Sequence, residues 1–209
     1  DRAKIENGTW RLVYGQPIVV ENLLNLSFEI SMESFFQTNP KSAEKLYTKA
    51  LDYVFEEEIP AGKVVMDLFC GTGTIGQILS TRKKDVSIVG VDIVEEAIED
   101  AKRNAKRNNI EGIQFYAADV GKFLKEHPEF IGNIATIILD PPRAGIAPKT
   151  LLKVMALGAE RIVYISCNPA TQARDIAMME EKYKVTSVQP VDMFPHTHHV
   201  ENIALLELK

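Results

Sequence analysis

The spacing of apolar and polar positions changes character along this chain. Residues 9–14 (TWRLVY), 18–21 and 26–31 (LSFEIS) read as short strands separated by Gly15, Pro17 and Asn25, which predicts a small β-rich appendage over residues 1–38. From 42 to 58 the residues Ala43, Leu46, Tyr47, Ala50, Leu51, Val54 and Phe55 recur at helical spacing behind Pro40, which a first helical turn tolerates. An amphipathic helix is predicted there. After Pro60 and Gly62, strand-like apolar runs at 64–68, 87–91, 113–117, 134–139 and 161–165 alternate with helical stretches. Such alternation predicts a parallel sheet covered on both faces. The last two runs, 184–191 and 203–208, have only MFPHTHHVE and no helical pattern between them, so they should pair as an antiparallel hairpin. The expectation is an α/β Rossmann-like domain over 39–209, with seven strands ending in that hairpin.

Composition narrows the function classes. A chain of 209 residues accommodates one α/β domain with an appendage. No apolar run approaches the ~18 residues of a membrane span. The two cysteines, Cys70 and Cys167, are too few for a disulfide framework or a four-thiolate metal site, and a reducing cytoplasm follows as the expected location. The chain begins at Asp1 without a methionine, and is read as a piece of a longer one. A formal charge of -5 is unsuited to strong phosphate binding, so any RNA partner would be held partly by an N-terminal domain beyond this sequence.

The first core strand runs into DLFCGTGTIG, where Gly71 and Gly73 let backbone approach a ligand. Ligand binding at the carboxyl ends of the strands follows. Asp92 closes the second strand, about 20 residues on, where an acidic side chain receives two ribose hydroxyls. Asp119 closes the third and suits an adenine amino group. A glycine turn alone would fit a dinucleotide, but several carboxylates around it would repel a pyrophosphate and suit a cationic sulfonium nucleoside.

Strand four ends Asp140-Pro-Pro-Arg143. Methyltransferases acting on amino groups place an aromatic ring where Arg143 stands, so a platform for a planar amine is missing. Strand five ends Ser-Cys167-Asn-Pro169, which aims a thiol into the same crevice. A helix beginning near Thr171 would favour the thiolate through its amide dipoles. A thiol can activate uracil C5 by adding to C6, and a base must then remove the C5 proton from the other side of the ring. The segment 194–202 (FPHTHHVEN) supplies candidates, among them Glu201.

Together FFQTNP, DLFCGTGTIG, DPPRAG, SCNP and FPHTHHVEN resemble the catalytic domain of the bacterial RNA 5-methyluridine methyltransferases over residues 26–209, with the motifs in the family's order. The resemblance implies a seven-stranded S-adenosylmethionine-dependent methyltransferase fold. It implies Cys167 as nucleophile, Glu201 as the base at C5, and Asp140 as a pocket carboxylate on the uracil. It also implies that Gln37, Phe69, Thr74, Asp92 and Asp119, with Gly71, Gly73 and Asp140 of the same crevice, contact S-adenosylmethionine. Phe35 is placed near the target base, and Arg143 joins Phe35 and Asp140 as a substrate-binding candidate.

The expected product is 5-methyluridine in an unpaired or flipped-out position of RNA, ribosomal RNA being favoured over transfer RNA, and the enzyme is expected to be a monomer. The competing readings are cytosine-C5 methylation of RNA and a catalytically silent cofactor- or RNA-binding module. The RNA cytosine enzymes place a second cysteine after the strand-four proline, where this chain has Pro142 and Arg143, and a silent module needs neither Cys167 nor Glu201. No metal and no iron–sulfur cluster is expected, since His196, His198 and His199 lack a further ligand. The run 102–107 is read as the solvated face of a helix, with Glu99 able to pair with Arg103. Trp10 and Tyr14 are expected to pack against the main domain.

Overall fold

The computed structural model describes residues 11–31 and 34–209. A hairpin of β1 (Ile18–Leu23) and β2 (Leu26–Ser31) precedes helix α1 (Pro40–Val54). Strands β3 (Val64–Leu68), β4 (Ser87–Asp92), β5 (Ile113–Ala117), β6 (Ile134–Leu139) and β7 (Arg161–Ser166) then alternate with α2 (Thr74–Arg82), α3 (Glu95–Arg107), α4 (Val120–Glu126), α5 (Pro148–Ala156) and α6 (Pro169–Met179). The chain closes with β8 (Tyr183–Val191) and β9 (Glu201–Leu208). The segment 9–14 departs from expectation: 11–14 form no strand, while Thr9 and Trp10 lie outside the described residues. Tyr14 does not pack on the domain but is 95% exposed.

The seven-stranded sheet has the order β5-β4-β3-β6-β7-β9-β8. Only β9 runs against its neighbours, pairing antiparallel with β7 and with β8. Every side chain of β6 and β7 is buried, as an unbroken apolar run covered on both faces requires. The order reverses between β3 and β6, which opens a crevice at the carboxyl ends of the central strands. Successive residues point to opposite faces, so the inward side chains feed two apolar clusters. One combines α1, α2 and the hairpin residues Leu23, Leu26 and Phe28; the other combines α4, α5 and residues of α6.

Polar side chains of α3 fasten the hairpin. Asn108 Oδ1 accepts from Ser27 N at 2.9 Å and Asn108 Nδ2 donates to Ser27 O at 3.0 Å. Asn104 does the same for Glu29, at 2.7 and 2.9 Å. Asp100, one turn earlier, accepts from the Ser31 amide at 3.3 Å and the Ser31 hydroxyl at 2.7 Å. Positions four apart on a helix share a face, and alternate residues of a strand share an edge, so three rungs align. The basic face of α3 is exposed as expected, but Glu99 pairs with Lys102, while Arg103 turns to Asp100.

Candidate active site

The turn after β3 is shaped by backbone conformations that few side chains adopt. Phe69, Gly71 and Gly73 all have positive φ, at 65°, 53° and 68°. A Cβ on Gly73 would stand 2.5 Å from the Phe115 ring, so glycine is required there by conformation and by space. A Cβ on Gly71 would meet nothing within 4 Å, which marks open space over the turn. Thr74 begins α2 and is buried, its hydroxyl 3.0 Å from that of Thr72.

Asp67, the residue that opens this motif, is fully buried. Its Oδ2 accepts from Gly76 N at 3.0 Å, while Oδ1 has no hydrogen-bond partner. Burial, reinforced by the charge of Asp92 and opposed by the Gly76 hydrogen bond, pushes its pKa up to about 7. Asp92 is half-buried and accepts from Gly71 N and Val94 N, both at 2.9 Å, so it braces the glycine turn. Asp119 is exposed and caps α4 by accepting from Lys122 N at 2.8 Å. An orphaned carboxylate oxygen beside an open glycine turn fits a compact ligand carrying positive charge.

The second half of the crevice gathers residues from three strand ends. Asp140 follows β6, Cys167 follows β7 and Glu201 begins β9. Burial and the charges of Glu201 and Asp67 hold the Asp140 carboxyl well above the usual range. Burial pushes Glu201 up to about 7 against the pull of Arg143. The half-buried Cys167 thiol is also pushed up, first by desolvation, then by Glu201 and Asp140, with Arg143 acting in the opposite direction. Thiol, two carboxyls and guanidinium therefore lie within electrostatic reach of one another. Helix α6 starts beside Cys167, at Pro169 and not at Thr171.

The DPPRAG loop is held against α6. Arg143 O accepts from Asn168 Nδ2 at 3.3 Å and from the Thr171 hydroxyl at 3.1 Å. The fully buried Asp175 accepts from Ile146 N at 2.8 Å and from the Tyr164 hydroxyl at 2.7 Å. The exposed Arg143 guanidinium lies 3.2 Å from His199 Nδ1.

Gln37 is buried and Phe35 is 66% exposed. The buried Tyr47 hydroxyl is raised by desolvation and by the charges of Asp140, Asp67 and Glu201, and Gln37 is a hydrogen-bond partner that lowers it. Gln37, Asp67, Asp140 and Glu201 thus share one compartment with a phenol that sequence reasoning assigned only to the apolar face of a helix. Asp67 was likewise visible as the first residue of the glycine motif, but only its burial reveals the unpartnered oxygen. Among the described residues no group of three or more His, Cys, Asp or Glu could hold a metal ion, and no helix is long and apolar enough to cross a membrane.

A family model described as tRNA (Uracil-5-)-methyltransferase matches residues 11–209. An uncharacterized RNA methyltransferase of Clostridium acetobutylicum is 46% identical over 201 residues, covering 94% of this chain and 42% of that protein. One from Bacteroides thetaiotaomicron is 46% identical over 198 residues, with 93% and 42% covered. The chain therefore spans less than half the length of these relatives. Among solved structures, a Pyrococcus abyssi tRNA (uracil-54, C5)-methyltransferase in complex with S-adenosyl-L-homocysteine superposes with a TM-score of 0.78 at 35% identity, over 92% of this chain and 45% of that one.

Proposed function

The chain belongs to the tRNA (uracil-5-)-methyltransferase family, and from that premise we propose that it is the catalytic part of an S-adenosylmethionine-dependent RNA methyltransferase forming 5-methyluridine through a Cys167 adduct. The observation that carries this reading is the meeting of Cys167, Glu201, Asp140 and Arg143 at three adjacent strand ends.

The cofactor would lie over the glycine turn, with Gly71, Gly73, Thr74 and Phe69 beneath it, Gln37 and Asp140 on its flanks, and Asp92 and Asp119 at the ends of β4 and β5. When bound it supplies an electrophilic methyl group on a cationic sulfur. The orphaned Asp67 oxygen gives that charge a counterpart. Phe35, Asp140 and Arg143 would receive the target base. Burial and the neighbouring carboxylates favour the protonated form of Asp140, and a protonated carboxyl would both donate and accept a hydrogen bond, which matches the N3–H and O4 edge of uracil.

Cys167 sulfur, as thiolate, adds to uracil C6, and the electron pair of the C5–C6 double bond moves onto the enolate. Arg143 beside the thiol favours the ionised form. C5 then takes the methyl group. Glu201 removes the C5 proton, the C5–C6 double bond re-forms, and the sulfur leaves with the electrons of its bond to C6. A carboxylate with a pKa of about 7 is matched to that task, being both appreciably ionised and appreciably basic at neutral pH.

The test is a 5-fluorouridine-containing transcript with cofactor, because fluorine at C5 leaves no proton to remove. A denaturation-stable protein–RNA complex is expected, absent in Cys167→Ala, and Glu201→Gln should accumulate a methylated adduct on ordinary RNA. Methylation of uridine by Cys167→Ala would overturn the mechanism. Ribosomal RNA is the substrate the sequence favours, whereas the family description and the Pyrococcus enzyme name transfer RNA; the same assay on each RNA decides between them.

A further inference from the structure

Cys167 and Glu201 are carried by different segments, and the proposed reaction requires them on opposite sides of one ring. The last rung between β7 and β9 is Ser166↔Asn202, immediately before the thiol on one strand and immediately after the carboxylate on the other. Beyond that rung the two backbones part. One buried side-chain amide joins the two strands at this end. Gln172, in the second turn of α6, is 2% exposed. Its Nε2 donates to Tyr164 O at 2.8 Å and to Asn202 O at 3.3 Å, and its Oε1 accepts from Asn202 Nδ2 at 2.6 Å. Both donors of the Gln172 amide are used, so it ties β7 to β9 at the end of their ladder.

We propose that the Gln172–Asn202 amide pair is a positioning device that holds the Glu201 carboxylate where the C5 proton emerges; this rests on the function proposed above. Two features assign the effect to Glu201 and not to the thiol. The turn bearing Cys167 has its own bonds: the Ser166 hydroxyl accepts from Asn168 N at 3.1 Å, and Asn168 Oδ1 accepts from Ala170 N at 3.2 Å. Glu201 is the first residue of β9, follows residues 192–200, most of which are exposed, and pairs with Val191 of β8 on one side; on the other side its neighbour Asn202 links it to α6 through Gln172. A leucine at either position would fill a similar volume, but it would leave direction and distance unspecified.

The experiment uses Gln172→Leu and Asn202→Leu, singly and together, in the full-length protein. Trapping on 5-fluorouridine RNA reports addition and methyl transfer, while turnover on uridine RNA also needs proton removal. An ångström of misplacement costs on the order of 100-fold in rate, so turnover should fall about 10- to 100-fold. The trapping rate should change less than about threefold by the same argument, and methylated covalent complex should build up on uridine RNA. The double variant leaves no side-chain amide facing an apolar partner but still deprives Tyr164 O and Asn202 O of the Gln172 donor, so its thermal stability should be no lower than that of Gln172→Leu alone while turnover stays low. Parallel loss of trapping and turnover, activity recovering with stability in the double variant, or unchanged turnover in all three would overturn the proposal. Absence of trapping in the wild-type protein would instead overturn the mechanism on which it rests.

Discussion

Replacing Asp67 with Asn should stabilise the ligand-free protein in a pH-dependent way. The folded environment raises the Asp67 pKa from 3.8 to about 7, so the fold prefers the neutral carboxyl. The unfolded chain ionises near the ordinary value. Stability from this group is therefore complete below about pH 4, declines as pH rises toward 7 and is lost above it. That shift corresponds to a ceiling of about 4 kcal/mol. Relaxation around the ionised carboxylate reduces the figure, and about half of it is expected to appear. Asn cannot ionise, and its oxygen can still accept from Gly76 N. Any fixed cost of the new amide is the same at every pH and cancels in a comparison between two pH values. Thermal melts at pH 5 and pH 8 measure the difference directly. Between pH 5 and pH 8 the ceiling is about 2.6 kcal/mol, since part of the shift is already spent at pH 5; half of it, at ~2–4 °C per kcal/mol for a domain of this size, gives the variant a gain of about 3–5 °C relative to wild type at pH 8 over its relative position at pH 5. The same substitution should weaken binding of S-adenosylmethionine, because the unpartnered carboxylate oxygen is the feature that favours a cation. Equal shifts at the two pH values would refute the ionisation argument. A gain in stability with unaltered cofactor affinity would refute the assignment of that oxygen to the cofactor.

Turnover on uridine RNA should rise with pH through about 7, since Glu201 must be ionised to take a proton and its pKa stands there; the elevated Cys167 thiol adds a further rise on the alkaline side. A maximum below pH ~6 would contradict both roles. Asn104→Ala removes both bonds to the Glu29 peptide, and should cost roughly 1–3 kcal/mol, read as a lowered melting temperature; an unchanged one would mean that water replaces the amide without loss.

The central sheet was legible in the sequence because parallel strands buried on both faces write an uninterrupted apolar signature, as in residues 134–139. Motifs at strand ends were legible for the same reason: Asp140 and Cys167 sit where apolar runs stop, and Glu201 just before one starts. What was not legible depends on contacts between distant segments. Asp100, Asn104 and Asn108 look like ordinary polar residues of a helix until β2 is set beside them. Tyr47 belongs to an apolar face by spacing, yet its hydroxyl reaches the acidic compartment. The direction of the Cys167 shift follows first from burial and then from carboxylates arriving from β6 and β9, which no local pattern encodes. Pairing of the final two strands was foreseeable; the seat of β9 between β7 and β8 was not, because it requires knowing which edge of β7 stays free.

The side-chain rungs on β2 also decide what that small ribbon can join. Hydrogen-bonding groups along its outer margin are already engaged by Asn104, Asn108 and Asp100, so a stray segment from another molecule finds no template there. The arrangement limits its own length too. Four helical residues advance about 6 Å while two strand residues advance about 6.8 Å, so the mismatch grows with each added rung and a fourth would fall out of alignment. The number of rungs the ribbon can carry is thus bounded by the mismatch of two unlike repeats laid side by side.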